Sequence, residues 1–151
     1  MVFKKDQVGR LERIWVKRST GNSMDTRKNV LLVTGQGLKG NLHQGGKRQI
    51  TLLDQSAWET MILELGVELD PINRRANLLL SGICLSETGG HILKIGETRL
   101  RIIGETKPCQ QMDKVFQGLQ QAMKRKWRGG VHGEVVTGGA VQVGDHVCWE
   151  V

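Results

Sequence analysis

The sequence predicts a mainly β domain with about two helices, and three observations carry that expectation. Twenty glycines and an aromatic share of only 4%, with no tyrosine, describe a turn-rich chain that buries mostly Val, Ile and Leu, the composition of small barrels. Short stretches bounded by Gly and Asn alternate apolar and polar residues with period two, as half-buried strands do. Only two segments place apolar residues at helical spacing.

Val8 to Val16 alternates loosely and reads as the first strand. The polar loop Arg18 to Lys28 delivers a β-branched strand over Asn29 to Thr34. Gly35 to Gly46 is too rich in glycine for a regular element and predicts a long loop, a type of segment that inside a compact domain is usually functional or disordered. Arg48 to Leu53 is strand-like, after which Asp54 can cap a helix over Gln55 to Leu65, where Trp58, Ile62 and Leu65 share a face. Asn77 to Leu80, His91 to Ile95 and Thr98 to Ile103 are further strands, the last two separated by a Gly96-Glu97 turn. Met112 to Lys126 predicts a second amphipathic helix through Val115, Leu119, Ala122 and Met123, ended by Gly129-Gly130. Val131 to Thr137 and Val141 to Val151 alternate around Gly138-Gly139 and predict a closing hairpin.

At 151 residues the chain is long enough for one domain, residues 1–151, with a core that needs no disulfide or structural metal. Three cysteines without a Cys-x-x-Cys pair point to a reducing, cytoplasmic setting. The N-terminus carries charge where a signal peptide needs an apolar run, and stretches such as Val30 to Val33 are too short to span a bilayer, so no membrane partner is expected. The net charge of +7 attracts anions, whether nucleic acid, an anionic surface or a phosphorylated cofactor.

Chemistry concentrates on Cys109. The strand before it presents Leu100 and Ile102 on one face and Arg99 and Arg101 on the other, and Lys107-Pro108 then stops pairing, which puts Cys109 at a strand mouth. A thiol beside Lys107 and near the start of the next helix is suited to act as a nucleophile or metal ligand. The alternative is a small buried hydrophobe, the reading that suits strand-like Cys84 and Cys148. His146-x-Cys148 lacks zinc-ligand spacing, and no nucleophile elbow points to a Ser-His-Asp triad.

Five blocks in order are similar to the MOSC domain, named for the C-terminal domain of molybdenum cofactor sulfurases. They are Gly37 to His43, Arg48 to Leu53, Arg75 to Ile83, Gly96 to Met112, and Gly129 to Val135 followed by Gly144-Asp145. Asn41 and Cys84 depart from the pattern, standing where the family often has aspartates. The resemblance implies a closed β-barrel of the kind inserted in pyruvate kinase, and a cysteine, Cys109, that ligates molybdenum or carries a persulfide without pyridoxal phosphate. It implies molybdenum cofactor (molybdopterin) as the cofactor, with Arg48, His43, Arg75, Asn77 and Lys107 as candidate contacts to its phosphate and pterin. Each contact has a plainer alternative: an exposed loop histidine or arginine, a turn stabilised by Asn77, a surface lysine. Family members that reduce N-hydroxylated compounds make such a reductase one expectation, a sulfur carrier the other. A sulfur donor or an electron-transfer protein is then the expected partner, since the chain has no flavin, nicotinamide or Fe–S motif of its own. The competing reading is a basic nucleic-acid-binding barrel without catalysis, centred on Lys124 to Arg128, a run that equally suits the last turn of a helix.

Overall fold

Seven strands close into a barrel in a computed structural model that describes residues 4–21 and 23–151. In chain order the strands are Val8–Val16 (β1), Asp25–Arg27 (β2), Asn29–Val33 (β3), Gly37–Leu38 (β4), Ile50–Asp54 (β5), Leu78–Ser81 (β6), Ile92–Ile95 (β7), Thr98–Glu105 (β8), Val131–Thr137 (β9), Gly139–Gln142 (β10) and His146–Trp149 (β11). The α-helices are Gln55–Leu65 (α1), Gln111–Val115 (α2) and Leu119–Met123 (α3), with 3₁₀ turns at Pro71–Arg74 and Arg125–Trp127. Around the barrel the order is β1, β6, β5, β9, β8, β7, β11 and back to β1. Every neighbouring pair is antiparallel except β5 and β6. A parallel pair needs a crossover, and α1 with the Pro71–Arg74 turn supplies it.

Period-two alternation decides inside from outside. Leu100 and Ile102 of β8 are fully buried, whereas Arg99 and Arg101 point out and pair with Glu150 and Glu134 at 2.7 and 2.8 Å. Leu11, Ile14, Ile50, Leu52, Leu78 and Leu93 belong to the same core cluster. A second core forms on the outer surface, where Trp58 and Met61 of α1 and Met112, Leu119 and Met123 of the later helices cover Trp15, Leu53 and Leu79. Helix α1 matches its prediction residue for residue: Asp54 accepts from the backbone N–H groups of Ser56 and Ala57 at 2.9 and 3.3 Å, and Gly66 ends it in the left-handed region. No helix among the described residues is long and apolar enough to cross a membrane.

Three expectations are corrected. The single helix over Met112 to Lys126 is broken into α2, α3 and a 3₁₀ turn. Phe116 is extended at φ −157°, Gly118 takes φ 94°, and the Asp113 carboxylate accepts the N–H of Gln120 at 2.9 Å, so the amphipathic stripe folds back on itself. The C-terminal hairpin does not form, because both edges of β9 are already occupied by β8 and β5. β10 instead pairs with β3, which also holds β4 within the glycine-rich stretch, and β11 closes the barrel between β7 and β1. Cys84 lies in a loop beyond β6 rather than in a strand.

Nothing packs within 4 Å of a Cβ placed on Gly118, so only its backbone angle resists substitution. Gly118→Ala is expected to cost about 1 to 2 kcal/mol in urea denaturation without fusing α2 and α3 in the circular dichroism spectrum.

Candidate functional site around Cys109

Glu105 ends β8, and the chain then leaves the ladder along the outside of the barrel. Pro108 is buried while Lys107 and Cys109 are exposed, so the proline anchors a loop that presents the thiol to solvent. The Cys109 carbonyl accepts the N–H of Met112 at 3.1 Å, turning the chain into α2. That helix begins after Gln110, has five residues and no side-chain cap, and offers the thiol little of the dipole expected from the sequence.

The charge that organises the loop comes from Arg74. Its turn is started by Asp70, whose carboxylate accepts the N–H of Ile72 at 2.9 Å, and ended by Arg75 at φ 62°. Arg74 Nε donates to the Gly129 carbonyl at 2.9 Å and Nη2 to the Thr106 carbonyl at 2.8 Å, while Nη1 lies 3.8 Å from Met112 Sδ. Gly129 has to be glycine for this approach, since a Cβ there would stand 2.8 Å from the Thr106 oxygen and 3.2 Å from Arg74 Nη2. Burial lowers the Arg74 pKa from its ordinary value; negative charge on Cys109 opposes that shift and Arg48 adds to it. Cys109 and Arg48 thus both lie within electrostatic reach of Arg74.

His132, on the outward side of β9, joins them. Its Nδ1 lies 3.5 Å from Thr106 Oγ1, and its pKa is held below the ordinary 6.5 by burial and then by Arg48, against a hydrogen bond with the Glu105 backbone. Burial and Arg48 both favour the uncharged ring.

The remaining candidates are dispersed. Arg48 is exposed at the exit of the glycine loop. Arg75 sits close enough to Lys17 to lower that lysine's pKa, second to the effect of burial. Asn77 is buried and its side chain is committed: Oδ1 accepts from Thr51 N and Oγ1 at 3.1 and 3.2 Å, and Nδ2 donates to the Trp15 carbonyl and Asn41 Oδ1 at 3.1 and 3.2 Å. It ties β1, β5 and the glycine loop together. His43 is exposed, and its carbonyl accepts weakly from Asn41 Nδ2 at 3.4 Å. The loop itself is pinned by amides: Gln44 Nε2 donates to Leu38 and Asn41 carbonyls, and Gln49 bridges the Gly46 carbonyl and the Val135 N–H.

Arg74 and His132 were not among the sequence candidates. His132 stood inside a recognised block, between Gly130-Val131 and Gly133, but a lone histidine on a strand carries no mark of its neighbours. A separate cleft of about 400 Å³ is lined by Asp54, Ser56, Cys84, Ser86, Lys126 and Trp127, and Cys109 is not part of it. Burial raises the Asp54 pKa above the usual carboxylate value.

The sequence profile of the MOSC domain matches residues 39–148, which contain Cys109, Arg74, Arg48 and His132. The chain belongs to the MOSC domain family. No curated protein matches the sequence significantly. Crystal structures reproduce the fold: the YuaD protein of Bacillus subtilis is 21% identical with a TM-score of 0.77, over 93% of this chain and 94% of that one. YiiM from Geobacillus stearothermophilus is 14% identical with a TM-score of 0.77, over 95% and 75% of the two chains. YiiM from Escherichia coli is 18% identical with a TM-score of 0.70, over 94% and 70%. The expected closed barrel is thus the fold of this MOSC chain.

Two outcomes test this MOSC site. Cys109 is expected to alkylate before Cys84 and Cys148 in the folded protein, as read by peptide mass spectrometry; earlier labelling of either would move the reactive site. In an NMR titration His132 is expected to protonate below pH 6.5, and Arg48→Gln to raise its midpoint because a like charge is removed.

Proposed function

We propose that the protein binds the molybdenum cofactor and that Cys109 supplies the thiolate that ligates molybdenum. The observation that carries this reading is an exposed, soft sulfur donor sharing one electrostatic field with Arg74 and Arg48, neither of which has a carboxylate within ion-pair distance among the described residues. Membership of the MOSC family, which is associated with molybdenum cofactor binding, supports the same reading. The donor set fits the group: a thiolate suits molybdenum, and uncompensated guanidinium groups suit a phosphate.

Residue roles follow from placement. Arg48, exposed beside the ordered glycine loop, binds the cofactor's phosphate, and Lys107 and His43 add charge and a donor at the rim. Arg75 supports the wall on the Lys17 side. Asn77 has its side chain fully engaged inside the protein and positions the wall rather than touching the ligand. His132, uncharged, offers a hydrogen-bonding ring without adding repulsion. When bound, the cofactor supplies two-electron redox chemistry, as in reductases of N-hydroxylated compounds, with electrons from a partner protein.

A sulfur-carrier reading is favoured by the exposure of Cys109 on a loop, where a donor protein can reach it. Nucleic-acid binding through Lys124 to Arg128 draws less support. Arg128 is buried in a two-point bridge to Glu64 at 2.7 and 3.0 Å, and Trp127 packs on the barrel core.

Expression in a host that makes molybdenum cofactor tests the assignment. The wild type is expected to carry molybdenum and Cys109→Ser to lose it, because a serine oxygen is a harder donor. Arg48→Ala is expected to weaken cofactor retention with the melting temperature nearly unchanged, as for other exposed side chains. A wild type that purifies without molybdenum but gains a persulfide mass on Cys109 would select the carrier reading.

A further inference from the structure

Sequence adjacency gives Cys109 its positive neighbour in Lys107, but the geometry points to another residue. We propose that Arg74 is the positioning residue of the Cys109 site: it clamps the loop on both sides of the thiol and provides the fixed counter-charge for an anion on the sulfur. The proposal rests on Cys109 being the reacting group and not on which cofactor or sulfur species it meets.

Three features carry it. The acceptors of the Arg74 fork belong to Thr106, three residues before Cys109, to Met112, three residues after it, and to Gly129 on the neighbouring segment. Cys109 is thus suspended between two points that one guanidinium holds. All three acceptors are neutral, so the hydrogen bonds fix the group without cancelling its charge. Several other arginines are matched, among them Arg13 with Asp70, Arg18 with Asp25, Arg99 with Glu150 and Arg128 with Glu64. Arg74 is half-buried and meets no carboxylate within 4.0 Å among the described residues. Such a charge is costly unless something anionic faces it, and the loop that Arg74 holds at Thr106 and Met112 carries the exposed thiol of Cys109 between those two points. Lys107 is exposed to water, where its field is screened.

A fixed positive charge at the sulfur distinguishes an anionic from a neutral reagent of the same size. The test is therefore the ratio of Cys109 alkylation rates by iodoacetate and iodoacetamide, measured on the full chain without cofactor. The wild-type ratio is expected to exceed that of glutathione about fivefold, the order of effect of one unit charge in contact with the reagent's carboxylate in a water-like medium. Arg74→Gln is expected to remove that excess and Lys107→Gln to leave most of it. Loosening of the loop alone would speed both reagents equally and leave the ratio in place. Arg74→Lys, which restores charge without the fork, is expected to keep the excess and decides the matter if Arg74→Gln does not fold. A wild-type ratio equal to that of glutathione, an excess that survives Arg74→Gln, or one lost in Lys107→Gln would overturn the proposal. None of these rates depends on molybdenum, so failure of the cofactor assignment is seen separately.

Discussion

Barrel closure by β1 is the constraint on which the rest of the structure depends. This strand pairs with β11 through Val8 to Arg10, with β6 through Arg10 to Ile14, and with β2 through Ile14 to Val16. A register shift between Leu11 and Arg13 lets one strand serve three partners, since the added local twist turns its later half away from the ladder with β11. Closure removes the open edges that a seven-stranded sheet would expose and gives every inward Leu, Ile and Val a partner across the interior.

Once the barrel is closed, its outer face carries the candidate site. The parallel β5–β6 pair demands a crossover, and the crossover brings the Pro71–Arg74 turn over the outside of the barrel, where Arg74 meets the loop leaving β8. Asn77 performs the matching task at the start of β6 by joining Trp15, Asn41 and Thr51. Site and scaffold are thus coupled through buried polar groups whose hydrogen bonds are satisfied. Such groups specify one arrangement because each alternative leaves a donor or acceptor unpaired in the interior.

What could be read in the sequence follows from how local the responsible physics is. The strands of the barrel are legible because burial on one face imprints period two on Leu100, Arg101 and Ile102, and α1 is legible because Asp54 and Gly66 mark its ends within the sequence itself. The break at Phe116 to Gly118 is not, since the Asp113 to Gln120 bond that rewards it exists only once the segment has folded back. The false hairpin has a similar cause: β9 has no free edge, a fact about β5 and β8 rather than about Gly138. The place of Cys109 just beyond the end of β8 was legible from the Lys107-Pro108 turn. Arg74 was not, because nothing in the pair Arg74-Arg75 says which guanidinium turns toward the thiol. The partners that fix Arg74, the Thr106 and Gly129 carbonyls, lie 32 and 55 residues away in the chain.

The outer face around Cys109 and the cleft of about 400 Å³ beside Cys84 are alternative places for a ligand that involve a thiol. The proposed function gives the first to the molybdenum cofactor, because there an exposed thiol lies on the loop held by Arg74, which has no carboxylate partner among the described residues. Anomalous diffraction at the molybdenum edge, on crystals of protein purified from a host that makes the cofactor, separates them in one measurement. The account predicts a peak within bonding distance of Cys109 Sγ, on the side of Arg74 and Arg48. A peak in the cleft beside Cys84, with Cys109 free, would contradict it.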